Sequence, residues 1–125
     1  IILNSDMSDF MISFEIGGFR ADNYKIYNQN SDLYVNENGD EFSYKISKEE
    51  WAKFWNVIDE IDAWRWGKDY FDRGVLDGIQ WELVIDRKGK RRRKIYGSND
   101  YPKNFKHLID AVNNIAKINI TFFKD

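Results

Sequence analysis

Apolar side chains recur at two different periods along this chain, and the switches between them divide it into strands and helices. Phe10, Ile12, Phe14 and Ile16 alternate with Met11, Ser13 and Glu15, the period-two pattern of a strand with one face in a core. Gly17-Gly18 then supplies a turn. A second strand is expected around Tyr24 to Tyr27 and a third at Leu33 to Val35, and Asn38-Gly39 offers the two positive-φ residues of a tight hairpin before Phe42, Tyr44 and Ile46. These segments predict an antiparallel meander.

At Ser47 the period changes. Ser47-Lys48-Glu49-Glu50 is a capping box, in which the serine accepts from the amide of Glu50 and Glu50 reaches back. Trp51, Phe54, Trp55, Ile58 and Ile61 then make one apolar helical stripe, with Lys53, Asp59 and Glu60 off it, and this stripe is expected to cover the sheet. After an irregular aromatic stretch, Ile79, Trp81, Leu83 and Ile85 alternate with Gln80, Glu82, Val84 and Asp86 as a further strand, and Gly89 turns the chain. A three-residue loop, Arg87 to Gly89, pairs Trp81 with Ile95 and Glu82 with Lys94, apolar against apolar and acid against base. We prefer it to a two-residue loop, which sets Leu83 against Lys94. Pro102 suits the first turn of a second helix, whose stripe is Phe105, Leu108, Ile109, Val112 and Ile115, and Ile118 to Phe123 suit a closing strand. The expected fold is therefore α+β, a mostly antiparallel β-sheet with two amphipathic helices packed on one face. The order is β-β-β-β-α-β-β-α, with or without a closing β, and residues 1–125 form a single globular domain.

Composition narrows the class. The 125 residues are 42% hydrophobic, 17% aromatic and 32% charged, the make-up of a folded domain and of neither a disordered nor a collagenous chain. Having no cysteine, the chain holds no disulfide, thiolate nucleophile or Cys-ligated zinc, and a reducing cytoplasm suits it. No window approaches 18 consecutive apolar residues, and Ile1 to Leu3 is too short for a signal-peptide core, so a soluble, cytoplasmic domain with no membrane partner is expected. The net charge of −2 hides a split: residues 1–63 carry thirteen acids and five bases, residues 64–125 eight acids and fourteen bases. That polarity favours an oriented encounter with a charged partner.

Three constellations carry candidate chemistry. The first is the basic run Lys88, Lys90, Arg91, Arg92, Arg93 and Lys94. On a hairpin its members alternate between faces, and Lys90, Arg92 and Lys94 share the outer face with Glu82 and Asp86. Arg91 and Arg93 fall on the face of Leu83 and Ile85, where an unpaired guanidinium is costly, so they snorkel, meet a carboxylate or bind an anion. The second is Trp64-Arg65-Trp66-Gly67-Lys68-Asp69-Tyr70-Phe71, where the two-residue spacing of the tryptophans splits one ring inward and one outward; an exposed ring beside Arg65 and Lys68 makes a recognition surface. The third is a polar cluster of Asp77, Asn99 and Tyr101, at two turns expected to meet at the open end of the hairpin. These are also standard turn and cap formers, so the cluster is either purely structural or a polar site.

Catalytic patterns are weak. Asp77 followed by Asp86-x-Lys88 mimics the Asp…(Asp/Glu)-x-Lys pattern of metal-dependent nucleases, but nine residues of strand at about 3.3 Å each separate the two acids by about 30 Å. The lone His107 lies off its helix stripe and is expected at the surface. No phosphate-binding loop, dinucleotide fingerprint, zinc spacing or calcium loop is present. Neither a metal site nor a cofactor is expected.

The succession Trp51-x-x-Phe54, Trp64-x-Trp66, Tyr70, Asp77-Gly78-x-x-Trp81 and Gly97-x-Asn99-x-Tyr101-Pro102-x-x-Phe105 resembles small bacterial proteins that carry a helix, W-x-W, D-G-x-x-W and G-x-N-x-Y-P-x-x-F. The likeness spans roughly residues 44 to 115. It implies no activity, but it implies that the two turns and the rings between them form one unit. The favoured function is a non-enzymatic protein-binding or inhibitory module, of the kind used in bacterial or phage conflict, whose partner meets exposed members of Trp64, Trp66 and Tyr70 with help from Arg91 or Arg93. A nucleic-acid or nucleotide binder using the basic hairpin stands second, and an enzyme with an undisclosed site third.

Overall fold

A computed structural model of the protein describes residues 10–74 and 78–121. Its elements run β1 (Phe10–Gly17), β2 (Tyr24–Gln29), β3 (Asp32–Glu37), β4 (Asp40–Lys45), helix α1 (Lys48–Glu60), a 3-10 turn (Ala63–Arg65), β5 (Asp69–Phe71), β6 (Gln80–Arg87), β7 (Arg93–Ser98) and helix α2 (Phe105–Ala116). The strands make one sheet in the order β4-β3-β2-β1-β6-β7-β5. All pairings are antiparallel except that of β5 with β7. The fold is α+β, and no described helix is long and apolar enough to cross a membrane.

Local signals built most of this. Asn38 and Gly39 take φ of 53° and 95°, the left-handed pair that a two-residue hairpin requires. Both hydrogen bonds of the Ser47–Glu50 capping box are present. The alternating residues Ile12, Phe14 and Ile16 on β1 and Trp81, Leu83 and Ile85 on β6 lie directly opposite one another and are buried. The helices cover this face: Phe10 meets Trp51 with ring centroids 4.6 Å apart, Trp81 meets Phe105 at the same distance, and Phe14 meets Phe105 at 6.3 Å.

Four expectations are corrected. Leu83, not Trp81, stands opposite Ile95; Trp81 faces Gly97 and Glu82 faces Tyr96. The chain turns at Arg87–Lys90, where the Lys90 amide donates to the Arg87 carbonyl at 2.9 Å, and Arg91 and Arg92 leave the ladder before β7 begins. Two packing demands move the register: β1 holds β6 in the sheet as far as Arg87, and the Trp81 indole lies where a Cβ on residue 97 would stand, 1.9 Å from its Nε1, so only glycine fits opposite it. Because the shift is by two residues, every side chain that stays in the ladder keeps its face. Lys94 still reaches Glu82, now diagonally, at 3.9 Å.

Next, the irregular aromatic stretch contains β5, a three-residue parallel strand too short to leave a periodic signal. Pro102 precedes α2 and is not in it; Asn104 at φ 71° starts the helix at Phe105. Finally, no strand forms over residues 118–121, where instead the Asn113 amide clasps the backbone of Ile120, donating to its carbonyl at 2.9 Å and accepting from its N–H at 2.8 Å. The rest of the expected closing strand, and Asp77, lie outside the described residues.

Candidate functional site

Helix α1 stops because Asp62 turns left-handed at φ 59°, and the W-x-W segment that follows is tied down at three points. Arg93, opposite Ile85 on the helix-covered face, donates from Nη1 to the Trp64 carbonyl and from Nη2 to the Trp66 carbonyl at 2.7 Å. The planar guanidinium fork suits two carbonyls at once, which one ammonium cannot match. The Tyr70 hydroxyl accepts from the Gly67 amide at 2.7 Å. The structure thus brings Trp64, Trp66, Tyr70 and Arg93 into one unit.

Within that unit the tryptophans divide. Trp66 is buried, with its ring 6.3 Å from that of Phe105. Trp64 is half-buried, stacked on Trp55 at 6.0 Å and 18°, and its Nε1 donates to Asp59 Oδ1 at 2.8 Å. Lys90 Nζ stands 5.8 Å from the Trp64 centroid and the Arg87 guanidinium 5.4 Å from that of Trp55, distances at which a cation is drawn to a ring. Arg87 also pairs with Asp59 Oδ2 at 3.5 Å. Arg87, Trp55, Trp64 and Lys90 form a cation–aromatic stack with Asp59 along its side. Tyr70 is half-buried and stacks on Trp81 at 6.0 Å.

Beyond this stack projects the hairpin tip, where Lys88, Lys90, Arg91 and Arg92 are exposed. Arg91 makes no hydrogen bond or ion pair among the described residues, whereas Arg93 is occupied by the two carbonyls. Asp59 and Arg87 were missed as members of this site, and Lys90, named only within the basic run, was not expected beside Trp64. Asp59 sits one helical turn from Trp55, a neighbour relation the sequence does contain; the reach of the hairpin back to that turn it does not.

Of the polar cluster, Asn99 and Tyr101 lie among the described residues, and both have contacts that support the fold. Asn99, at φ 59°, exchanges hydrogen bonds with Ile79: its Oδ1 accepts from the Ile79 amide at 2.8 Å and its own amide donates to the Ile79 carbonyl at 2.8 Å. Its side chain occupies the place of a Cβ on Gly78, 1.4 Å from the ideal position. Trp81 Nε1 donates to the Asp100 carbonyl at 3.0 Å. Tyr101 lies beside Trp81 at 14°, and its hydroxyl is pushed above the ordinary tyrosine range by burial and then by Asp100. The two turns do meet, around Trp81. His107 is exposed, and no group of three or more His, Cys, Asp or Glu among the described residues is placed to hold a metal ion.

No protein-family model matches the chain, and no curated protein matches it.

Proposed function

We propose that this domain is a non-enzymatic protein-binding or inhibitory module, which presents Trp64 and the basic tip Lys90, Arg91 and Arg92 to an acidic surface of a protein partner. The observation that carries this reading is the cation–aromatic stack. Trp64 is held by Trp55, Asp59, Lys90 and, through its carbonyl, Arg93, so the tip stands on a rigid base and loses little freedom on binding. A fixed tryptophan with Lys90 at its ring and Arg93 on its carbonyl, close in the chain to the exposed Arg91 and Arg92, combines residue types enriched in interface hot spots.

The basic tip also suits phosphate, which keeps nucleic acid as the second reading. Against it, single-strand binders offer open ring faces for bases, and a base stacking on Trp64 must displace Lys90, because Trp55 occupies the ring already.

Affinity capture from source-cell extract, with and without nuclease, tests the proposal against Trp64→Ala and Arg91→Glu/Arg92→Glu. The expected result is a protein retained by the wild type after nuclease treatment, with Trp64→Ala weakening its binding by about 2 kcal/mol or more, roughly thirtyfold in Kd, and the fold unchanged. Binding of DNA or RNA with a steep salt slope, and no protein retained, hands the site to the second reading. Turnover of a nucleotide, nucleic acid or peptide that survives loss of the rings but not of Asp77 overturns both.

A further inference from the structure

The two edges of the sheet are unlike. β5 closes one side with only three residues, a common way of blunting an edge. β4 closes the other with six, Asp40–Lys45, and among the described residues no strand pairs with its outer side. Because the two-residue turn makes Glu37–Asp40 the first hydrogen-bonded pair, alternation directs the N–H and C=O of Asp40, Phe42 and Tyr44 toward β3, and those of Glu41, Ser43 and Lys45 outward.

We propose that this edge pairs with the β4 of a second copy of the chain, antiparallel about a two-fold axis at Ser43. An axis perpendicular to the sheet keeps the helix-covered faces of both copies on one side, so even-numbered residues must oppose even ones and odd oppose odd. Centred on Ser43, the strand opposes Glu41 to Lys45 twice and Phe42 to Tyr44 twice. The outward backbone groups of Glu41, Ser43 and Lys45 all find partners. Centring on Phe42 instead puts Asp40 against Tyr44 and Glu41 against Ser43, and centring on Tyr44 puts Ser43 against Lys45; only the Ser43 register joins both charges and both rings. Phe42, 42% exposed, would sit at a position not hydrogen-bonded to the new strand, where opposed side chains approach most closely. The charges that ordinarily guard an edge are here self-complementary. The basic tip joins β6 to β7, which stand four and five strands from β4 in the sheet, and lies outside this interface in both copies.

Sedimentation at physiological ionic strength tests this, since a Debye length of about 8 Å damps repulsion between the acidic halves while sparing contact pairs. The wild type should dimerise reversibly below about 1 mM. Glu41→Lys and Lys45→Glu each set like charges opposite one another twice, and each should weaken the dimer at least about tenfold; the double swap Glu41→Lys/Lys45→Glu should restore it. Ser43→Pro removes an outward N–H at the axis and should abolish the dimer, with circular dichroism reporting whether the fold persists. If it does not fold, the charge swap decides. A wild type monomeric at that concentration, single reversals without effect, or a double swap that fails to recover overturns the proposal.

Discussion

Arg93 is the residue whose role most exceeds its appearance. Read along the strand it is one base among six; in the fold it satisfies the carbonyls of Trp64 and Trp66, 29 and 27 residues away. Replacing it with Met keeps the apolar stem and strands both acceptors, so a loss of about 1.5–3 kcal/mol is expected, the range for hydrogen bonds to a charged group. Arg93→Lys should recover only part of it, because an ammonium offers no fork. Urea midpoints of the two variants against wild type measure this, and equal stability of all three would deny the carbonyls any part in holding the loop. Gly97 illustrates the converse, a residue important for what it lacks. A methyl there meets Trp81 Nε1 at 1.9 Å, and Trp81 is 1% exposed and hydrogen-bonded to Asp100, so it has little room to yield. Gly97→Ala should cost about 1–3 kcal/mol by overpacking, read as a fall in thermal midpoint. That a glycine sits at 97 is legible in the sequence, as is the W-x-W spacing; which ring turns inward and which carbonyls receive Arg93 are not, because both depend on groups far along the chain.

Helix α1 carries the tests at the scale of an element. Trp55 is buried between Phe54, Phe10 and Trp64, and Trp55→Ala should destabilise the fold by about 3–5 kcal/mol, the range for deleting a large ring from a core. At the N-terminus, Ser47 and Glu50 serve each other. The backbone hydrogen bond from Ser47, then the Ser47 side chain and Lys117, hold the Glu50 carboxyl below its ordinary value of 4.5. A folded-state value lowered in this way favours folding above the unfolded value, and that contribution is lost as pH falls from about 4.5 through the lower folded value. Denaturation midpoints measured down that range should fall more steeply for wild type than for Glu50→Gln, and parallel curves would contradict the linkage. These elements were readable because cap, stripe and two-residue turn are local. β5 was not, since a three-residue strand has no period to detect and exists only because β7 lies beside it.

At the scale of the molecule, strand order converts a split along the sequence into a split in space. β4, β3, β2 and β1 come from the acidic half and stand on one side; β6, β7 and β5 come from the basic half and stand on the other. For the proposed acidic partner, Arg91→Glu/Arg92→Glu should chiefly slow association and flatten its dependence on salt, whereas Trp64→Ala should chiefly speed dissociation, because long-range charge steers the encounter and close packing sets residence. Surface plasmon resonance at several ionic strengths separates the two, and matching effects on both rates would deny the division of labour. The sequence by itself determined the periods, the capping box, the Asn38-Gly39 turn, the buried faces and the α+β class, all of which arise from interactions within a few residues and from the side-chain alternation of strands. Tertiary structure alone decided the β6–β7 register, the parallel β5, the start of α2 at Phe105 and the stack of Arg87, Trp55, Trp64 and Lys90. Those outcomes were set by competition among distant groups: β1 extending β6 to Arg87, Trp81 requiring a residue without a Cβ opposite it, and a guanidinium needing two carbonyls that only the folded chain brings within its reach.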